Sequence, residues 1–178
     1  MSEKIIIVDD QDHALGVEEK MAVHEQGLLH RAFSVFVYRD KAGEPDILLQ
    51  RRHPEKYHCG NLWTNACCGH PREHETILDA ATRRLKEETG LLLSLSEVGV
   101  FHYIAHFDNG LIENEIDHVF IAPFTNETID IHPQEIAELK WQTLSDLGYE
   151  MDENPATFTP WLKPALDIAA PTMKKELK

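Results

Sequence analysis

Between Gly69 and Leu91 the chain reads GHPREHETILDAATRRLKEETGL, and no other stretch limits the possible folds as much. Ile77, Leu78, Ala81 and Leu85 recur at the three- and four-residue spacing of one helix face, and Gly90 stands where a helix stops. The spacing predicts a helix from Glu75 to Thr89. The rest of that helix is charged. Carboxylates three or four residues apart share a face, where their oxygens can hold a hard divalent ion against diphosphate oxygens. The plainer reading of such a helix is a solvated face laced with i,i+4 ion pairs.

The flanking segments point to strands. RAFSVFVYR, from Arg31 to Arg39, is rich in β-branched and aromatic residues; DKAGEPD supplies turn residues, and ILLQRR follows, which together predict a hairpin. KIIIV near the start reads as a first strand and not as a signal peptide, because acids follow its short apolar run and no small-residue cleavage site does. VGVFHYIAH, ENEIDHVFIAPF and AELKWQTL also read as strands, TPWLKPALDIAA as helix in part, and the final MKKELK as a solvated helix end. The expected class is α/β or α+β. At 178 residues, with no repeat and no Gly/Ser linker, one domain spanning 1–178 is expected.

Composition narrows function by exclusion. No apolar run approaches the roughly 18 residues a membrane helix needs, and a net charge of −14 repels nucleic acid and anionic lipid, so neither is an expected partner. An anionic small molecule would need a local cationic site. Cys59, Cys67 and Cys68 form an odd, clustered set that argues against a disulfide framework and for a reducing cytoplasm.

Gly69, Glu75, Arg83, Leu85, Glu87, Glu88, Gly90 and Leu91 stand at the spacing Gx5Ex7REUxEExGU, which resembles the Nudix box. The resemblance favours the metal-binding reading of the helix, with Glu88 as the ligand. It implies a mixed sheet sandwiched between helices. One position departs: Arg84 stands where the box carries Glu. Four residues before Glu88 on the same stripe, Arg84 can neutralise that carboxylate or reach a phosphate, which argues for diphosphate binding without diphosphate hydrolysis.

Further along, LWTNACCGHP, the triplet Glu113 to Glu115 and TPWL resemble the type I isopentenyl-diphosphate isomerases, and the likeness runs from Gly16 to Leu162. It implies reversible isomerisation of isopentenyl to dimethylallyl diphosphate in isoprenoid biosynthesis. Position by position, it implies catalytic Cys68 and Glu115 with assistance from Tyr103. It implies a first metal site on His24, His30, His70, Glu113 and Glu115, and a magnesium contact on Glu88 with the Cys68 carbonyl. It assigns diphosphate binding to Lys20, Arg52 and Lys56, with Arg84 also available, and an indole face at Trp161 to stabilise a developing cation. The implied cofactors are Mg²⁺ on the diphosphate and a second divalent ion, Mn²⁺ or Zn²⁺. The implied partner is a small isoprenyl diphosphate.

The residues suit this chemistry. Glu113 and Glu115 are two apart in a strand-like segment, so both carboxylates share a face, and the histidines complete a mixed N/O donor set. Moving an unactivated double bond requires protonating one carbon and deprotonating another. Read without the resemblance, Cys68 is a small buried hydrophobe and Trp161 a core aromatic. The rivals are a Nudix hydrolase of a nucleoside or other diphosphate and a non-catalytic binding module. The sequence leaves open which of Cys68 and Glu115 donates first.

Overall fold

The structure, a computed structural model, describes residues 2–178. β1 (Lys4–Val8) and β2 (Ala14–Glu19) form an antiparallel hairpin, and α1 (Lys20–Gln26) leads from it into β3 (His30–Lys41). The chain reverses over Ala42 and Gly43, both with positive φ, and returns as β4 (Glu44–Arg52). The expected turn is therefore shorter than DKAGEPD: Glu44 to Asp46 already belong to β4, and Asp46 is fully buried against Arg39.

Two short strands, β5 (Trp63–Thr64) and β6 (Cys67–Gly69), precede α2 (Ile77–Thr89). The helix starts two residues later than the apolar spacing predicts. Thr76 caps it by accepting the Asp79 amide proton, while Glu75 lies outside and accepts from the Arg72 amide and the Arg83 guanidinium. Gly90 ends it in the left-handed region at φ 73°. β7 (Ser96–His106) and β8 (Ile112–Pro123) form the second long hairpin, and β9 (Ile136–Thr143) runs directly into α3 (Leu144–Glu153). A 3₁₀ turn (Pro155–Thr157) and α4 (Leu162–Glu176) complete the chain.

These strands make one nine-stranded mixed sheet among the described residues. β3 is its spine: it pairs antiparallel with β4 at one end and β6 at the other, and parallel with β8 along its length. Being covered on both faces, it is a continuous apolar run and not an alternating one. Phe33, Val35 and Val37 pack with Leu48, Phe120 and Ala122 under Ala81 and Leu85 of α2. Phe36 and Tyr38 face the other way, with Ile47, Leu49 and Ile121, against Leu147 of α3 and Leu162, Leu166 and Met173 of α4. The expected sandwich is thus present. The C-terminal segment is not merely a solvated helix end: Met173 is buried, and Glu176 accepts a hydrogen bond from the Tyr38 hydroxyl. No helix among the described residues is long and apolar enough to cross a membrane.

Candidate active site

A cavity of about 680 Å³ opens where β3, β6 and β8 meet α1, the segment before α2 and Arg84 of that helix. Its inner wall comes from β8. Glu113 and Glu115 alternate inward with Asp117, and the parallel register sets His30 of β3 beside Glu115.

Glu113 is the hub. Its Oε1 lies 2.9 Å from His24 Nε2 and in hydrogen-bond reach of His58 Nε2, and it accepts from the Tyr57 hydroxyl at 3.4 Å. Its Oε2 lies 3.4 Å from His30 Nε2, and neither atom has a hydrogen-bond partner among the described residues. His24, His30, His70 and Glu113 offer ligand atoms all within 4.8 Å of one another. Glu115 stands at the border of this group, 3.5 Å from His30 Nε2 and 3.7 Å from His70 Nε2. The Nδ1 atoms of His24 and His30 are turned outward to the carbonyls of Lys20 and Leu28, which aims both Nε2 atoms at the centre. Two unpaired buried polar atoms inside an N₃O donor set fit a divalent ion.

Burial works on these groups in opposite directions. It pushes Glu115 well above the usual carboxylate range, with the Glu113 charge adding to the effect, and it pushes Asp117 up to about 7. Glu113 is equally buried, yet the neighbouring His24, His30 and His58 rings outweigh burial and hold it well below that range. Burial and the neighbouring His30 drop His70 well below an ordinary imidazole, which favours the neutral ring.

Because β6 is a strand, Cys67 and Cys68 face opposite sides of the sheet. Cys67 packs in the α2 core and points its thiol at Glu88 Oε2, 2.8 Å away. Cys68 lines the cavity. Its sulfur accepts the Trp161 indole N–H at 3.2 Å and lies 3.3 Å from Asn65 Oδ1 and 3.7 Å from Ser34 Oγ. Asn65 is fully buried, and its Nδ2 is spent on the carbonyls of Val35 and Cys67, so only Oδ1 faces the thiol. Ser34 in turn donates to Asp117. Burial holds the Cys68 thiol up at about 12, fully protonated near neutrality. Gly69 permits this crowding: a Cβ there would meet the Phe33 ring at 2.8 Å and Arg84 Cγ at 3.3 Å.

Lys20, Arg52, Lys56 and Arg84 all line the mouth. Trp161 also lines the cavity, its ring 5.3 Å from the Arg52 guanidinium and 6.3 Å from the Tyr103 ring. Tyr103 is paired with Glu115 in the β7–β8 register; its buried hydroxyl has no partner among the described residues, and burial and the Glu115 charge push its pKa up. Glu88, like Tyr103, His24 and His30, does not line the cavity wall itself. Its carboxylate is buried between the Cys67 thiol and Arg84, 3.6 Å from the guanidinium, and burial pushes its pKa up. Three lining residues had no signal in spacing: Tyr57, His58 and Glu135.

The NUDIX domain family matches residues 28–162. An isopentenyl-diphosphate Delta-isomerase of Photobacterium profundum is 44% identical over 168 residues, which cover 93% of this chain and 93% of that one. The protein of the same name from Serratia proteamaculans is 43% identical over 176 residues, 98% of this chain and 96% of its own. The chain belongs to the isopentenyl-diphosphate Delta-isomerase family, within the NUDIX fold. Among solved structures, DR0079 from Deinococcus radiodurans superposes with a TM-score of 0.74 at 17% identity, covering 93% of this chain and 99% of that one. A MutT protein from Methanosarcina mazei Go1 gives 0.61 at 16% identity over 78% and 91%. Those two likenesses are of fold. The Arg84 guanidinium occupies Glu87 and Glu88, leaving few free carboxylate oxygens on α2.

Proposed function

We propose that this chain interconverts isopentenyl and dimethylallyl diphosphate in the cavity above, as a single domain in the cytoplasm, where its three unpaired cysteines stay reduced. One observation carries the reading: Cys68 and Glu115 line the same chamber whose mouth is set with Lys20, Arg52, Lys56 and Arg84. The basic mouth holds the diphosphate and so positions a five-carbon tail inside. Isomerisation adds a proton to the terminal methylene and removes one from the carbon two bonds away. Cys68 holds a proton near neutral pH because burial disfavours its thiolate, and Glu115 is the second exchanging group on the wall. Trp161 orients the Cys68 sulfur through its N–H, and with Tyr103 it keeps water from the developing cation.

His24, His30, His70 and Glu113 would hold a divalent ion, Mn²⁺ or Zn²⁺, with Glu115 at its edge, and Mg²⁺ would accompany the diphosphate near Glu88 and the Cys68 carbonyl. Bound there, such ions supply positive charge that favours ionised carboxylates and screens the phosphates. The direct test is incubation of the purified protein with isopentenyl diphosphate, Mg²⁺ and Mn²⁺ or Zn²⁺, followed by phosphorus and proton NMR. Dimethylallyl diphosphate is the expected product. Phosphate release without an isomerised product would replace this reading with a hydrolase.

A further inference from the structure

Among the four cations at the mouth stands an acid that the isomerisation does not use. Glu135, in the turn before β9, lines the cavity opposite α2. Its Oε2 is bonded by Lys56 Nζ and lies 2.9 Å from an Arg84 guanidinium nitrogen. One anionic oxygen shared by a lysine and an arginine is the local arrangement a phosphate oxygen would take up. The other acids of the cavity lie elsewhere: Glu113 and Glu115 belong to the histidine cluster, Glu3 is 3.3 Å from Lys20, and the exposed Glu73 is 3.7 Å from His74.

We infer that Glu135 is a displaceable stand-in for phosphate: it holds Lys56 and Arg84 at the mouth until a diphosphate takes both from it. The inference rests on the reading that the cavity takes a diphosphate. A multiply charged diphosphate can displace one carboxylate from two cations, whereas a monophosphate or a lone monoanion competes on closer terms. Glu135 thereby sets selectivity for the diphosphate at some cost in affinity. The side chain is 24% exposed, so the pair it forms is partly hydrated and can be exchanged without stranding a buried charge.

The test is calorimetric titration of inorganic pyrophosphate and of inorganic phosphate into wild-type protein and Glu135→Gln, first without divalent metal and then with Mg²⁺. Glu135→Gln is expected to bind both anions about two- to fivefold more tightly without metal, the range of a partly exposed ion pair. The gain should be larger for phosphate, so that discrimination between the two narrows. A merely structural role for Glu135 cannot produce a gain in affinity. Equal or weaker binding without metal overturns the inference, and weakening confined to Mg²⁺ would make Glu135 a metal ligand. If Glu135→Gln does not fold, Glu135→Asp, one methylene too short to span both cations, is read in the same way. Pyrophosphate binding needs no turnover: a wild-type protein that binds pyrophosphate but leaves isopentenyl diphosphate unchanged overturns the reaction and leaves the Glu135 comparison standing.

Discussion

Cys67 and Cys68 are adjacent in sequence, and the pleat of β6 alone gives them different environments. Cys68→Ser replaces a polarisable thiol with a far weaker acid, so turnover should fall by about 10²- to 10⁴-fold while pyrophosphate still binds. Cys67→Ser should keep turnover within a few-fold of wild type, because that side chain reaches Glu88 and the α2 core and not the cavity. Steady-state kinetics beside pyrophosphate titration separates the two; the reverse pattern would exchange the roles of the thiols. A second residue-scale expectation follows from Glu135. Burial alone would raise its pKa, but Lys56 and Arg84 overcome that and hold it at about 2. A carboxyl lowered on folding adds stability that is complete above about 4.5 and is lost as pH falls toward about 2. Glu135→Gln should therefore flatten the acid limb of the stability curve between those values, by on the order of 1 kcal/mol for a partly exposed pair. Urea unfolding at pH 7 and pH 3 measures it, and an unchanged acid limb would mean that the pair contributes nothing.

α2 is the element whose sequence said most about it, since its apolar spacing, its stop at Gly90 and its charge pattern all agree. Even there, the first turn went to the cap: Thr76→Ala should cost about 1 kcal/mol of stability in thermal or urea unfolding with KM unchanged, because Thr76 touches helix backbone and not the cavity. The long strands were legible for the same reason of periodicity or continuous apolarity. β2 was not, because five of its six residues are exposed and no buried alternation marks it. α1, seven residues long, and β6, three, are too short to show a period. α3 carried a readable signal in Thr143 as cap with Leu144, Leu147 and Met151 on one face, hidden by the strand that runs straight into it. The site follows the same division. The segment Leu62 to Pro71 and the Glu113–Glu115 pair were legible as a family pattern, whereas Tyr57, His58 and Glu135 acquire meaning only from what the fold sets opposite them. The turn of α2 that buries Leu85 also buries Glu88, whose carboxylate meets the Cys67 thiol and lies 3.6 Å from the Arg84 guanidinium.

At the scale of the molecule, the histidine cluster brings α1 and the segment after β6 together with the central strands β3 and β8. His24 comes from α1, His30 from β3, His70 from the segment after β6 and Glu113 from β8, and β1 meets β3 at a single paired position. An ion bound only by the folded arrangement stabilises it by mass action. Mn²⁺ or Zn²⁺ should therefore raise Tm by several degrees and slow amide exchange across α1, and Glu113→Gln should abolish both effects. Equal shifts in wild type and variant would move metal binding elsewhere.

Trp161 stands between two chambers. It and His58 line the larger one, while their immediate neighbours, Pro160, Leu162 and Cys59, line a second, apolar hollow of about 380 Å³ with Phe107, Met151 and Phe158. Residues 58–59 and 160–162 thus alternate between the two spaces, so the length of hydrocarbon the enzyme seats is expected to depend on the Trp161 ring. Trimming that ring would breach the wall and lengthen the room, and a homologue with extra carbons could then lie with its tail in the hollow behind, at the expense of the N–H that steadies the Cys68 sulfur.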